Sequence, residues 1–386
     1  MKNYVPADEL KLIHSGNDYF DVLEELIVNA RERIDIQTYI LEYDQTGKRI
    51  ILLLKEAVQR GVRVTLLADA FGSSGFPKEG LKEMEQSGIR ARLFSPLFSS
   101  EAISFGRRLH HKIVVADNTA ALIGGINLAD KYHGSLPTPP WLDYAVLIRG
   151  QACGYLAELC ESIYDRKTEF LHGHMNPEGQ KGVIRFRRND WIKGKNEIHR
   201  SYVEAIIGAE KSITLVASYF LPGRLFRKLL KEAVAKGVRI RIILAGKSDL
   251  AIIPLAEKYL YYFYLQNKIE IYEWDNSVMH GKAMTVDGMW TTIGSYNLNN
   301  LSHYLSIELN ADITDQHFVD VFDKHLDEII STKCKAVTLD TFQRKRSLWF
   351  RIRIRLGYEI YKLLMLFMMR KRVIEKKTVK SGRGGI

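Results

Sequence analysis

Residues 53–64 read LLKEAVQRGVRV and residues 229–240 read LLKEAVAKGVRI, identical at nine of twelve positions. A second pair of segments repeats as well: LHHKIVVADNTAALIGGIN at 109–127 and MHGKAMTVDGMWTTIGSYN at 279–297. The first pair is offset by 176 residues, and the histidines of the second, His110 and His280, by 170. Two unrelated segments repeating at nearly one spacing require a duplicated domain, so whatever one half folds into, the other folds into also. With 386 residues there is room for two copies, each with a sizeable core.

Each copy reads in the same order. An opening helix (DYFDVLEELIVNA or IHRSYVEAIIGA) leads to a strand ending at Tyr39 or Tyr219, then to the shared helix. Gly61 and Gly237 stop that helix, and a β-branched strand follows, VRVTLLADA or VRIRIILAG. Strands alternating with helices predict an α/β sheet. The histidine segment predicts a hairpin, with Asp287-Gly288 a strong two-residue turn and Asp117-Asn118 its weaker counterpart.

On a strand, residues two apart share a face, so His110 and Lys112 project together, as do His280 and Lys282. The glycine-led GGIN and GSYN allow close backbone approach, and Asn127 and Asn297 donate from the adjacent strand. One copy thus offers an imidazole, an ammonium and an amide, which is half a phosphate site. Two copies face to face put a base on each side of one phosphorus.

Charge and cysteine narrow the classes. The net charge of +11 belongs to the tail: residues 344–386 carry fourteen Lys and Arg against Glu359 and Glu375, leaving the body close to neutral. A near-neutral body argues against a general nucleic-acid binder. Cys153, Cys160 and Cys334 form no CxxC pair, so neither a disulfide framework nor a zinc site is indicated. The N-terminal MKNYVPADELKLIHSGNDYF has no signal-type apolar stretch, and no run of about 18 apolar residues occurs, so a cytoplasmic-side protein that does not span the membrane is expected.

The doubled pattern His-x-Lys-x4-Asp with a following GGxN or GxxN resembles the phospholipase D superfamily. Further segments, GGINLADKYHG, WLDYAVLIRG, SYFLPG and SYNLNNLSHYLSIELN, resemble the bacterial cardiolipin synthases of the B type, which lack N-terminal transmembrane helices. The similarity covers about residues 10–345. It implies an α/β fold of two duplicated phospholipase D-like α/β/α sandwich domains, at 1–165 and 166–343, sharing one active site, with a basic amphipathic tail at 344–386.

That resemblance also implies roles. His110, Lys112, Asp117, His280, Lys282 and Asp287 form the catalytic set. Lys112, Asn127, Lys282 and Asn297 hold the phosphate oxygens, and Asp143 and Glu308 orient the histidines. The reaction is a two-step displacement through a phosphohistidine on His110, with no metal and no cofactor. As a cardiolipin synthase the protein joins two phosphatidylglycerols and releases glycerol. A phospholipase D passing the phosphatidyl group to water uses the same motif. A superfamily nuclease fits the neutral body and apolar tail less well, and an inactive scaffold is opposed by the presence of both histidines. The expected partners are phosphatidylglycerol and an anionic membrane surface, with no nucleic acid, at the cytoplasmic face of the inner membrane.

Other residues take plainer readings. Asp117 and Asp287 end a hairpin strand, where turn hydrogen bonding accounts for them. His111 alternates to the opposite face. His133 and His303 read as loop or surface residues, and Tyr39 and Tyr219 as packing. The segment 94–108, with Phe94, Leu97, Phe98, Ile103 and Phe105, is either buried or an apolar lip at the site mouth. In the tail, Trp349, Ile352, Leu356, Ile360, Leu363 and Phe367 recur at helical spacing, with Arg351, Arg355 and Lys362 on the other side. An interfacial helix with a basic flank fits that pattern; a helix docked on the body, or a strand at RIRIRL, is the alternative.

Overall fold

Apolar residues alternate with polar ones in the β-branched runs and recur every three or four residues between them, and the chain folds accordingly. The computed structural model describes residues 4–96, 98–99, 102–103, 107–134, 138–166, 182–191, 193–249, 252–344 and 347–381, giving backbone alone at 98–99, 102–103 and 368–381.

The first half runs β1 (Glu9–His14), α1 (Asn17–Asn29), β2 (Arg33–Thr38), α2 (Gln45–Gln59), β3 (Arg63–Asp69), α3 (Lys78–Gln86) and β4 (Arg90–Phe94). A small hairpin of β5 (Phe98–Ser99) and β6 (Ala102–Ile103) precedes β7 (Arg108–Leu109). Then come β8 (Ile113–Ala116), β9 (Ala120–Gly124), α4 (Asp130–His133), β10 (Tyr144–Arg149) and α5 (Ala152–Tyr164).

The second half opens with β11 (Ile184–Asp190), β12 (Lys195–Asn196), α6 (Glu197–Gly208), β13 (Ser212–Ala217), α7 (Arg224–Ala235) and β14 (Arg239–Ala245). It continues through α8 (Ile252–Gln266), β15 (Glu270–Trp274), β16 (Lys282–Val286), β17 (Trp290–Gly294), α9 (Asn300–Leu305), β18 (Ser306–Ile313) and α10 (Gln316–Thr332). After β19 (Cys334–Val337) and α11 (Leu339–Arg344), the chain ends in α12 (Leu348–Ser381).

The duplication is visible in the sheets. The first has the order β1-β10-β9-β8-β2-β3-β4, and the second the order β12-β11-β18-β17-β16-β13-β14-β15-β19. Strand for strand the orders coincide; β12 and β19 extend the second sheet at its edges, and β7 crosses over to pair with β18. The shared helix becomes α2 or α7, the crossover between parallel neighbours β2 and β3 or β13 and β14. Gly61 and Gly237 stop these helices in the left-handed region, at φ 89° and 95°, where a side chain would be strained.

Three apolar layers follow from which strand face each residue occupies. Leu23, Ile27, Ile50 and Leu54 of α1 and α2 pack on Ile34, Ile36, Val64 and Leu66. On the far side Tyr202, Leu230 and Leu260 cover Ile213, Leu215 and Ile242. Between the sheets lies one core drawn from both halves: Val115, Ile123 and Val146 meet Val216, Ile293 and Leu309, with α5 and α10 filling in. This is the duplicated α/β/α architecture expected. Polar residues on the inner face of β2 are answered locally: Asp35 pairs with Arg33 at 2.6 Å, and Gln37 binds the Cys160 carbonyl at 3.1 Å.

The tail forms a helix docked on the body, the alternative reading of its pattern. The helix α12 docks along α8 through Ile354, Tyr361 and Met365, and Tyr358 stacks on Tyr259 with ring centroids 4.5 Å apart. A side chain at Gly357 would meet Leu255 at 2.8 Å, so glycine lets the helices close. The predicted stripe is not the docking face. Trp349, Ile352, Leu356, Ile360, Leu363 and Phe367 are all exposed, as are Arg351, Arg355 and Lys362. Among the described residues no helix is long and apolar enough to cross a membrane.

Candidate active site

The two histidine motifs converge between the sheets. Neither histidine stands on its hairpin strand as the sequence predicts: β8 begins at Ile113 and β16 at Lys282, so each motif enters its hairpin from an irregular segment. The reason is hydrogen bonding. The His110 amide donates to the Ile307 carbonyl at 2.9 Å, and the His280 amide to the Leu142 carbonyl at 2.8 Å, so each is spent on the opposite half.

The side chains follow the same crossing. Glu308, from the second half, accepts from His110 Nδ1 at 2.8 Å; Asp143, from the first, accepts from His280 Nδ1 at 2.6 Å. Both carboxylates are fully buried. Each carboxylate favours Nδ1 as the protonated nitrogen, at His280 in competition with Lys282 Nζ 2.9 Å away, and leaves Nε2 aimed away from the carboxylate. His110 Nδ1 also lies 3.0 Å from the Ser295 carbonyl, and the Ser295 hydroxyl donates to Glu308.

The small residues of GGIN and GSYN have a local cause. A Cβ on Gly125 would fall 2.2 Å from Asp143 Oδ1, and one on Gly294 would fall 2.3 Å from the Leu309 carbonyl. The strand bearing each carboxylate passes too close for any side chain there. Ser295 occupies the place of Gly125 and supplies a hydroxyl to the carboxylate.

The lysines are buried beside them. Lys112 Nζ donates to the His110 carbonyl at 2.8 Å and lies 5.2 Å over the Tyr39 ring. Lys282 Nζ donates to the His280 carbonyl and lies 4.0 Å from Asp143 Oδ2. Burial pulls Lys112 well below the usual lysine range, with the Lys282 charge adding to it, and brings Lys282 down to about 8. Burial also pulls both imidazoles down: His110 against the opposing pull of Glu308, His280 further because Lys282 and Lys112 repel its proton. Asp143 is pushed up to about 6 by burial. Burial thus disfavours the charged forms of both lysines and both imidazoles, and a phosphate anion bound among them favours those forms again.

The asparagines differ in placement. Asn127 is fully buried; its Oδ1 accepts from the Ile40 amide at 3.0 Å and its Nδ2 donates to the Tyr132 hydroxyl at 2.7 Å. Asn297 Oδ1 accepts from the Ser218 hydroxyl at 2.9 Å, which turns its NH2 the other way. The motif aspartates stay out of the pocket. Asp117 accepts from the amides of Arg31, Glu32 and Arg33, and Asp287 from those of Glu210, Lys211 and Ser212, at the start of β2 and β13 and so at the strand end remote from Tyr39 and Tyr219.

His111 does turn to the other face, where its Nδ1 meets Gln37 Oε1 at 3.0 Å, and burial brings it to about 3. His133 binds Thr46 and stacks on Phe20, and His303 binds the Tyr296 hydroxyl, so both are held inside their own halves. The packing reading of Tyr39 and Tyr219 is incomplete. Their rings stand edge-on to His110 and His280, at 4.8 and 6.3 Å. Tyr132 and Trp141 also flank His280, at 5.3 and 6.0 Å, and sequence reasoning missed them, although they lie within GGINLADKYHG and WLDYAVLIRG. In the segment 94–108, Phe94 ends β4 half-buried, Leu97 and Phe105 lie outside the described residues, and so do the side chains of Phe98 and Ile103.

Comparison with known proteins bears on the family and the fold. The family model described as cardiolipin synthase, PLD-like domain, matches twice, at residues 23–135 and 202–330. Cardiolipin synthase B of Shigella flexneri is 30% identical over 362 residues, covering 89% of this chain and 85% of the relative, and that of Escherichia coli strain K12 matches equally. Among solved structures, phosphatidylserine synthase of Haemophilus influenzae superposes with a TM-score of 0.73 over 98% of this chain and 97% of its own, at 15% identity. Two family matches on one duplicated frame, with a paired histidine site between them, lead to one conclusion: the chain belongs to the cardiolipin synthase family of phospholipase D-like phosphatidyltransferases.

Proposed function

We propose that the protein is a cardiolipin synthase that transfers a phosphatidyl group from one phosphatidylglycerol to a second, releasing glycerol, through a phosphohistidine. The observation that carries the reading is the crossed pair of buried histidine–carboxylate contacts, His110 with Glu308 and His280 with Asp143. It supplies two oriented imidazoles with free Nε2 atoms for one phosphorus.

In the first step His110 Nε2 attacks phosphorus. The bond from phosphorus to the headgroup glycerol breaks, and His280 gives its proton to the departing oxygen. In the second step a hydroxyl of another phosphatidylglycerol loses its proton to His280 and attacks, and the bond from phosphorus to His110 breaks. Lys112, Lys282, Asn127 and Asn297 hold the non-bridging oxygens, whose charge grows in the transition state. The substrate's negative charge also restores the proton affinity that burial removes from His280.

The membrane is reached through α12, whose exposed apolar stripe is flanked by Arg351, Arg355 and Lys362. That favours an anionic lipid surface at the cytoplasmic face over nucleic acid. The test is an acid quench of the full chain with labelled phosphatidylglycerol, followed by mass spectrometry. A phosphatidyl adduct on His110, with cardiolipin and glycerol as products, is expected. An adduct on His280 reverses the two roles, and phosphatidic acid as the sole product replaces transfer by hydrolysis.

A further inference from the structure

The halves agree at the motif and differ at the mouth. In the first half β3 ends in Asp69, fully buried, its carboxylate taken by the amides of Phe71, Gly72 and Leu109 at 2.9, 3.2 and 2.8 Å. Four residues on stands Ser73, also buried, whose hydroxyl donates to the Tyr39 carbonyl and accepts from the Leu41 amide. The equivalent strand β14 ends in Ala245, and four residues on stands Asp249, which is exposed.

Asp249 is tied to the site. Its Oδ1 accepts from the Tyr219 hydroxyl at 2.6 Å and from Ser248 Oγ at 3.4 Å. The Tyr219 ring in turn stands edge-on to His280. Among the described residues Oδ2 of Asp249 has no hydrogen-bond partner. The carboxylate is close enough to raise the proton affinity of both His280 and Lys282, against the effect of their burial.

A negative group at the mouth of an anion site repels the substrate's phosphate. Beyond holding Tyr219, a carboxylate there favours a substrate group that donates to it. In-line displacement puts the departing and attacking alcohols opposite the nucleophile. If His110 is that nucleophile, both alcohols lie beside His280, on the Asp249 side. We infer that Asp249, anchored by Tyr219, is the specificity residue for the alcohol, its free oxygen accepting from a second donor, hydroxyl or ammonium, on the carbon next to the reacting one. Glycerol carries such a hydroxyl. This rests on the phosphatidyl-transfer reading above. The first half has Ser73 where the second has Asp249, so only one side of the phosphorus is read this way.

The test uses the full chain with phosphatidylglycerol vesicles and three competing acceptors: deuterated glycerol, ethanolamine and 1-butanol, with products counted by mass spectrometry. Wild type should favour an acceptor with a second donor over butanol. Asp249→Ala should cut that preference on the order of 10-fold or more, the size expected when a charged hydrogen bond to a substrate group is lost. Tyr219→Phe, which frees the carboxylate, should cut it in the same direction by less. The arm that loses most, glycerol or ethanolamine, tells hydroxyl from ammonium. An unchanged preference ratio in Asp249→Ala overturns the assignment, even if all rates fall together. A wild type that transfers to no alcohol overturns the transfer reading beneath it.

Discussion

A fully buried carboxylate costs several kcal/mol unless partners repay it, and Asp143 repays it through His280 and the Tyr144 amide, 2.8 Å away. Asp143→Asn should lower turnover on the order of 10²- to 10⁴-fold, since the amide can neither fix the tautomer as firmly nor stabilise an imidazolium. The pH profile of kcat/KM gives a second check. Because burial raises Asp143 to about 6, acid below that pH neutralises it and releases His280; because burial lowers Lys282 to about 8, alkali above that pH removes its charge. Activity should therefore rise through about pH 6 and fall through about pH 8, and Asp143→Asn should abolish the acid limb. An acid limb unchanged in that variant places its titration elsewhere. The histidines and lysines of the site were legible because their spacing is local. Which carboxylate serves which histidine was not, since Asp143 and His280 are 137 residues apart and nothing in the order of the chain says how two halves approach.

At the scale of the element, α12 shows how far periodicity reaches. A stripe of apolar residues every three or four positions reports a helix, and the helix is there; which side meets the body depends on what α8 offers, a fact outside the segment. Ile354, Tyr361 and Met365 dock, and the more conspicuous stripe faces out. Replacing Trp349, Leu356 and Leu363 by Ser should therefore weaken flotation with phosphatidylglycerol vesicles while leaving the melting temperature within a few degrees, because none of the three is in the docked face. Wild-type binding should also fall with added salt, as attraction between the basic side chains and anionic lipid decays over a Debye length. Equal flotation of wild type and the triple variant at every salt concentration would move lipid contact away from α12. The hairpins turn at Asp117-Asn118 and Asp287-Gly288, whose aspartates adopt φ of 50° and 56°, but the pairing of Ala116 with Ala120 and of Val286 with Trp290 leaves three residues in each connection, not two. The motif strands start later than the pattern predicts because a neighbour from the other half takes the histidine amides.

For the whole molecule, the repeated segments predict two like sheets, while the core between them and the crossed contacts follow only from the fold. Among the described residues each histidine finds its carboxylate within the same chain. An equal mixture of His110→Ala and His280→Ala chains should thus stay inactive, measured against either alone; recovery of activity would mean that halves of different chains combine. The crossing has a further meaning for the history of such a chain. A protein half this long, built on the same plan, would own a histidine and a carboxylate that cannot meet, and would finish its site only as a symmetric pair of copies. In such a protein every substitution would strike both sides of the phosphorus at once. Fusing the two genes ends that constraint: Asp143 can differ from Glu308, Gly125 from Ser295 and Ser73 from Asp249, and an asymmetric reaction gains an asymmetric enzyme.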